Sequence, residues 1–135
     1  VNAVSAALYS TLAGGTALTA LLAGTTSVYD SLVPHGASFG VVVFSLQGGG
    51  DANETPRRRK ELLYTVKGIS ATSMKAAGAI DAQIDALLHE KTLAVTGWEN
   101  YSVMREVDIA YAETTPEGRN YWHVGGTYRI RLCEA

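Results

Sequence analysis

Four basic side chains stand in a row at Arg57, Arg58, Arg59 and Lys60, inside the stretch TPRRRKELL. Consecutive guanidinium and ammonium groups neutralise phosphates, so the run is a candidate nucleic-acid contact. Its neighbours weaken that chemistry, because Asp51, Glu54 and Glu61 leave segment 51–61 with a net charge of only +1. The chain as a whole carries a formal net charge of −2, so no global positive field draws in a polyanion. Asp81, Asp85 and His89 recur every four residues, a helical spacing that puts potential metal ligands on one side. A solvated helix flank accounts for the same pattern. His35, His89 and His123 fall in different segments, and none has a histidine four residues away. GGGDAN lacks the Lys-Ser/Thr pair and the following helix of a phosphate-binding loop. No nucleophile elbow is present. The sequence therefore reads as a non-enzyme without cofactor or metal.

The elements that would position these groups are set by periodicity. Val4, Leu8 and Leu12 repeat at four-residue intervals and predict a short helix ended by Gly14-Gly15. Thr16 is a candidate cap for a second short helix bearing Leu18, Leu21 and Leu22. FGVVVFSLQ, residues 39–47, is β-branched and aromatic enough for a central strand. Residues 48–60, with three glycines and a proline, predict a long mobile loop. Leu62, Tyr64 and Val66 alternate with their neighbours as a strand, with Gly68 a candidate bulge. Ala77, Ile80, Ile84, Leu87 and Leu88 form the apolar stripe of one long helix, capped by Thr72 or Ser73. Residues 99–112 and 120–132 predict an antiparallel hairpin around the Pro116–Gly118 turn. The fold class is α+β: an antiparallel or mixed sheet of about four strands, with the long helix and short N-terminal helices packed on one face.

At 135 residues the chain has the size of one domain, spanning 1–135, and 47% hydrophobic residues suffice for a core. A lone cysteine, Cys133, excludes an internal disulfide. The apolar runs are far shorter than a membrane span, and the first residues read as a folded helix rather than a signal peptide. Charge is distributed unevenly. Asp30 is the only Asp, Glu, Lys or Arg among residues 1–50, which suggests that the N-terminal third meets a partner.

Three stretches in order carry a resemblance: ALYSTLAGGTALTALLAGTTSVYDSLVPHGASFGVVVFSL, then AAGAIDAQIDALL, then EGRNYWHVGGTYRIRL. Over residues 6 to 132 this layout resembles the tail-completion or tail-terminator proteins of long-tailed bacteriophages. The resemblance implies a small α+β subunit of the virion tail, assembled in the host cytoplasm. It implies a ring, commonly of six copies, that caps the head-proximal end of the tail tube and joins it to the neck. The implied partners are further copies of the chain, the tube protein and a neck or head–tail connector protein. Genome DNA would pass through the lumen without sequence-specific binding, and neither cofactor nor membrane is implied.

On that reading Leu8, Leu12, Arg57, Arg58, Arg59 and Lys60 are candidate inter-subunit or inter-ring contacts, and Arg129 and Arg131 candidate edge-strand contacts. The 48–60 loop faces either the lumen or a protein partner. The competing reading is a small nucleic-acid-binding module that uses Arg57–Lys60 with support from Arg129 and Arg131. The aromatic residues Tyr121, Trp122 and Tyr128 form no RNA-binding signature that would favour it.

Overall fold

The computed structural model describes residues 2–52 and 58–135. Its elements run α1 (Asn2–Ala13), α2 (Thr16–Thr19), β1 (Val28–Asp30), β2 (Val41–Asp51), β3 (Arg59–Ser70), α3 (Met74–Leu88), β4 (Trp98–Thr114) and β5 (Asn120–Glu134). The strands form one five-stranded sheet in the order β1-β2-β3-β5-β4. β1 lies parallel to β2, and the remaining neighbours are antiparallel. The expected mixed sheet, long helix and short N-terminal helices are all present, with β1 as the additional strand.

The core obeys the two periodicities. Period two along the strands sends Phe44, Leu62, Tyr64, Val66, Tyr128, Ile130 and Leu132 to one face. Helical spacing brings Ala77, Ile80, Ile84 and Leu88 of α3 and Val4, Leu8 and Leu12 of α1 down onto them. Each fully buried large side chain contributes roughly 1.5–3 kcal/mol. Tyr64 is buried completely and its hydroxyl meets Ser5 Oγ at 3.0 Å, so α1 also satisfies a polar atom under it. A second, smaller cluster of Val41, Val43 and Ile69, joined by Tyr29, Val33, Phe39 and Tyr121, lies on the opposite face.

Several local expectations change. Gly48–Asp51 and Arg59–Lys60 are strand, paired from Gly48↔Leu63 to Asp51↔Lys60, so the connection is much shorter than 48–60. Glycine is unfavourable in an isolated strand, but here a paired neighbour supplies the register. The expected mobility of this loop falls largely on residues 53–57, which lie outside the described residues. Gly15, not Thr16, occupies the cap position of α2, with no side-chain cap bond. Ser73 caps α3, its Oγ accepting from Ala76 N at 3.1 Å. Gly68 is not a bulge; the irregularities fall at Leu46/Gly48 in β2 and at Asn100/Ser102 and Arg105/Val107 in β4. Gly68 instead lets α3 approach, because a Cβ there would run into Cγ2 and Cβ of Ile80.

That close approach gives a first expectation. Gly68→Ala overpacks the helix–sheet contact at the branched, inflexible part of Ile80, and is expected to cost about 1–3 kcal/mol in urea unfolding. Unchanged stability would mean that α3 does not need the glycine.

Candidate functional site

Within the described part of the basic run, Arg58 and Lys60 share one carboxylate. Arg58 donates to Asp51, and Lys60 Nζ lies 3.1 Å from the same carboxylate and 5.7 Å from the centre of the Trp98 ring. These partners, Arg58 first, hold the Asp51 carboxyl below its ordinary pKa. Arg59 opens β3, and Arg57 lies outside the described residues. On the opposite, helix-free face of the sheet, Arg131 Nε donates to Glu61 at 2.7 Å and Arg129 binds Glu106 through two bonds of 2.7 and 3.0 Å. The face therefore carries cross-strand ion pairs rather than a positive stripe, which removes the arginine support of the nucleic-acid reading.

Arg129 and Arg131 also sit on the wrong strand for an edge contact. β5 is interior, hydrogen-bonded to β3 on one side and β4 on the other. Alternation places a side chain on a face but says nothing of strand order. The long edge strand is β4. Leu8 and Leu12 likewise turn inward, both with 0% exposure in the protomer's own core. The outward side of α1 carries Asn2, Ala6, Tyr9 and Ser10, which are exposed and uncharged.

The group that sequence reasoning missed is Arg105. Its guanidinium donates to both oxygens of Asp81 at 2.8 and 2.9 Å, to Asp108 at 2.8 Å, to Gly125 O at 2.8 Å and to the Tyr128 hydroxyl at 3.0 Å. The Tyr128 hydroxyl in turn donates to Asp85 at 3.0 Å, and Arg105 N donates to His89 Nδ1 at 3.1 Å. Asp81, Asp85 and His89 thus form neither a metal site nor a free flank; they receive β4. The ion pair with Asp81 raises the Arg105 pKa further, and burial pushes the Tyr128 hydroxyl up. Gly126 leaves the space in which the guanidinium lies. Among the described residues no cluster of His, Cys, Asp and Glu suits a metal. The available signal was a helix flank with two acids and a histidine but no Lys or Arg four residues away.

On the other face His123 is 5% exposed, stacks on Tyr111 at 4.4 Å and meets Glu113 through Nε2 at 2.8 Å. A carboxylate can only accept, so Nε2 carries the hydrogen and the partnerless buried Nδ1 holds a lone pair. Burial pushes the His123 pKa down against the pull of Glu113. Lys67 donates to the Tyr111 hydroxyl at 2.7 Å. Beside them a cleft of about 660 Å³ opens between residues 33–37 and the β4–β5 turn, lined by Phe39, Ile69, Glu113, Arg119 and Tyr121.

The family described as tail completion protein gp17 matches residues 6–132 of this chain. The chain belongs to that family. This tail completion protein accordingly has a structural, non-catalytic role in phage tail assembly, joining tube to head or neck, as part of the virion tail. Its fold is similar to a chain in the virion of a native gene transfer agent particle, with a TM-score of 0.76 at 21% identity, over 98% of this chain and 96% of that one. No curated protein matches it.

Two outcomes are expected of a tail completion protein built this way. Arg105→Met leaves Asp81 without its partner in a mostly buried site, and should lower stability by roughly 3 kcal/mol; a loss below about 0.5 kcal/mol by urea titration would remove the network from the account. The depressed His123 pKa adds stability that is complete above the ordinary histidine value of about 6.5 and is lost as pH falls below it. His123→Phe should therefore show a smaller stability difference between pH 7.5 and pH 5.5 than the parent protein. An equal or larger difference would contradict the burial argument.

Proposed function

We propose that copies of this chain form a ring, six in number, that caps the head-proximal end of the tail tube and joins it to the neck. The observation carrying this reading is the surface of the N-terminal third. Asp30 is its only Asp, Glu, Lys or Arg, yet Tyr9 is 40%, Leu21 44% and Leu32 80% exposed. A monomer keeps such surface solvated by charge, whereas a subunit packed against neighbours does not need to. A closed ring requires two different complementary patches on each subunit, and the uncharged N-terminal surface supplies one of them.

The tube protein and the neck or connector protein are the proposed partners of the ring's two ends, and genome DNA passes through its lumen without sequence-specific contact. The 48–60 segment faces either the lumen or one of these proteins. Asp51, which offsets part of its positive charge, suits a channel that must let a polyanion pass, since a bare positive belt would retard it. Assembly takes place in the host cytoplasm.

Leu32→Asp is expected to leave a folded monomer and cut assembled ring at least five-fold by native mass measurement, whereas Leu8→Asp should lose the folded monomer itself. Normal rings from the Leu32 variant would contradict the proposed contact. Replacing Arg57, Arg58 and Arg59 with Ser together should leave rings intact and impair either joining of heads to tails or DNA ejection. If all three steps proceed at parental levels, the 48–60 segment has no contact role.

A further inference from the structure

The sheet of this protein ends in two edges, and each is covered over only part of its length. At one edge β1 pairs with Val42–Phe44 of β2, and Ser31 N donates to Phe44 O. Among the described residues no backbone partner reaches the outer side of β2 beyond that point, from Ser45 to Asp51. At the other edge the turn after α3 covers the start of β4. Glu90 N donates to Val103 O, and Arg105 N donates to His89 Nδ1. No such bond reaches the outer side of β4 from Glu106 to Thr114 among the described residues.

The direction of each open backbone group is set by the hairpin pattern. Thr115 N donates to Arg119 O across the β4–β5 turn, so Thr115 faces β5. In an antiparallel ladder consecutive residues face opposite sides, so Thr114, Ala112, Ala110 and Asp108 point their N–H and C=O outward. Likewise Ala52 N donates to Arg59 O, which turns Asp51 and Gly49 outward on β2. On the near side of the Leu46/Gly48 irregularity, Phe44 and Leu46 point outward.

Neither opening carries the Lys or Pro that commonly guards an edge. Glu106–Thr114 contains no Lys, Arg or Pro, its Val107 is 55% and Tyr111 42% exposed, and the strand is flanked by a sheet it merely extends. Both openings belong to one sheet and differ from each other. β4 and β2 also run in opposite directions, since each neighbour across β3 and β5 is antiparallel.

We propose that the open edge of β4, Glu106–Thr114, pairs antiparallel with the open edge of β2, Ser45–Asp51, in a second copy of this chain. Repetition of one heterologous contact closes a ring and leaves no edge uncovered. The inference rests on the ring reading above and names the bonds that make it. It also sets a geometry. Ala110 and Ala112 of β4 align through β5 with Gly68 and Ser70 of β3, whereas Leu46 and Asp51 of β2 align with Tyr64 and Lys60. The middles of the two openings, Ala110 and Gly48, align with Gly68 and Leu63, so the openings are offset by about five residues, on the order of 17 Å along the strands. Neighbouring sheets meet staggered, and in a closed ring the strands tilt to the axis.

Proline tests the pairing, because at an outward edge position it removes one free N–H while leaving the inner ladder in place. Ala110→Pro is expected to stay folded by circular dichroism and to lose at least nine-tenths of its rings in native mass spectra, with Ala110→Ser assembling normally. In a Cys133→Ser background, Ala110→Cys with Leu46→Cys should yield a covalent ladder with a short bismaleimide, and either cysteine alone should yield none. Rings formed normally by folded Ala110→Pro, or rings without the ladder, overturn the strand pairing and leave the ring reading standing. Dimers from Ala110→Cys alone overturn it in favour of a symmetric β4–β4 contact. A parent protein that forms no closed oligomer with or without tube protein overturns the ring reading itself. Should Ala110→Pro fail to fold, the cross-linking pattern decides alone.

Discussion

One guanidinium holds this fold to its shape. Arg105 leaves β4, crosses Gly126 of β5 and reaches Asp81 on α3, so a single side chain joins both strands of the hairpin to the helix. It sits at the Arg105/Val107 irregularity, where the strand gains a residue relative to β5. A guanidinium in so enclosed a place must have its donors satisfied, and here Asp81, Asp108, Gly125 O and Tyr128 take them. The penalty for a wrong arrangement is large, which makes the network a device for fixing the register of β4 as much as a source of stability.

That anchor divides the hairpin into two regimes. Before Arg105, β4 lies against the turn after α3 and buries Val103 completely. After it, the added residue turns Val107, Ile109 and Tyr111 to the helix-free face, and Glu106–Thr114 runs on with little cover. Two of the three charges of this region are paired, Glu106 with Arg129 and Asp108 with Arg105, while Glu113 accepts a hydrogen bond from the neutral His123. A surface whose ions are already paired offers a partner backbone groups and apolar area instead, at a smaller desolvation cost than unpaired charges would impose. For this tail completion protein, contact by sheet edge and uncharged helix surface fits the ring proposed above.

The parts of this fold legible in the sequence are those set by short-range periodicity. The stripe Ala77–Ile80–Ile84–Leu88 announces α3, and the alternation around Tyr128, Ile130 and Leu132 announces β5 with its inward face. The order of strands is not legible, because alternation is the same for an interior strand and an edge; Arg129 and Arg131 are misplaced for that reason. Gly48–Gly50 read as loop because glycine disfavours strands locally, while pairing with Glu61–Leu63 decides the outcome. Leu8 and Leu12 draw attention through the missing charges around them, yet the same four-residue spacing that announces a helix turns them into the core. Arg105 is hidden most completely: its partners lie 3 to 24 residues away in sequence and converge only after helix and sheet are packed.

On this reading β4 is anchored inside the protomer by Arg105 and left open beyond it for a neighbour. Residue-resolved hydrogen exchange, compared between isolated protomer and assembled ring, measures this directly. The account predicts that amides of Val107, Ile109 and Tyr111, which face β5, are slow in both states. Those of Asp108, Ala110, Ala112 and Thr114 should exchange rapidly in the protomer and slow at least a hundred-fold in the ring. Fast exchange of these four amides in an intact ring would contradict it.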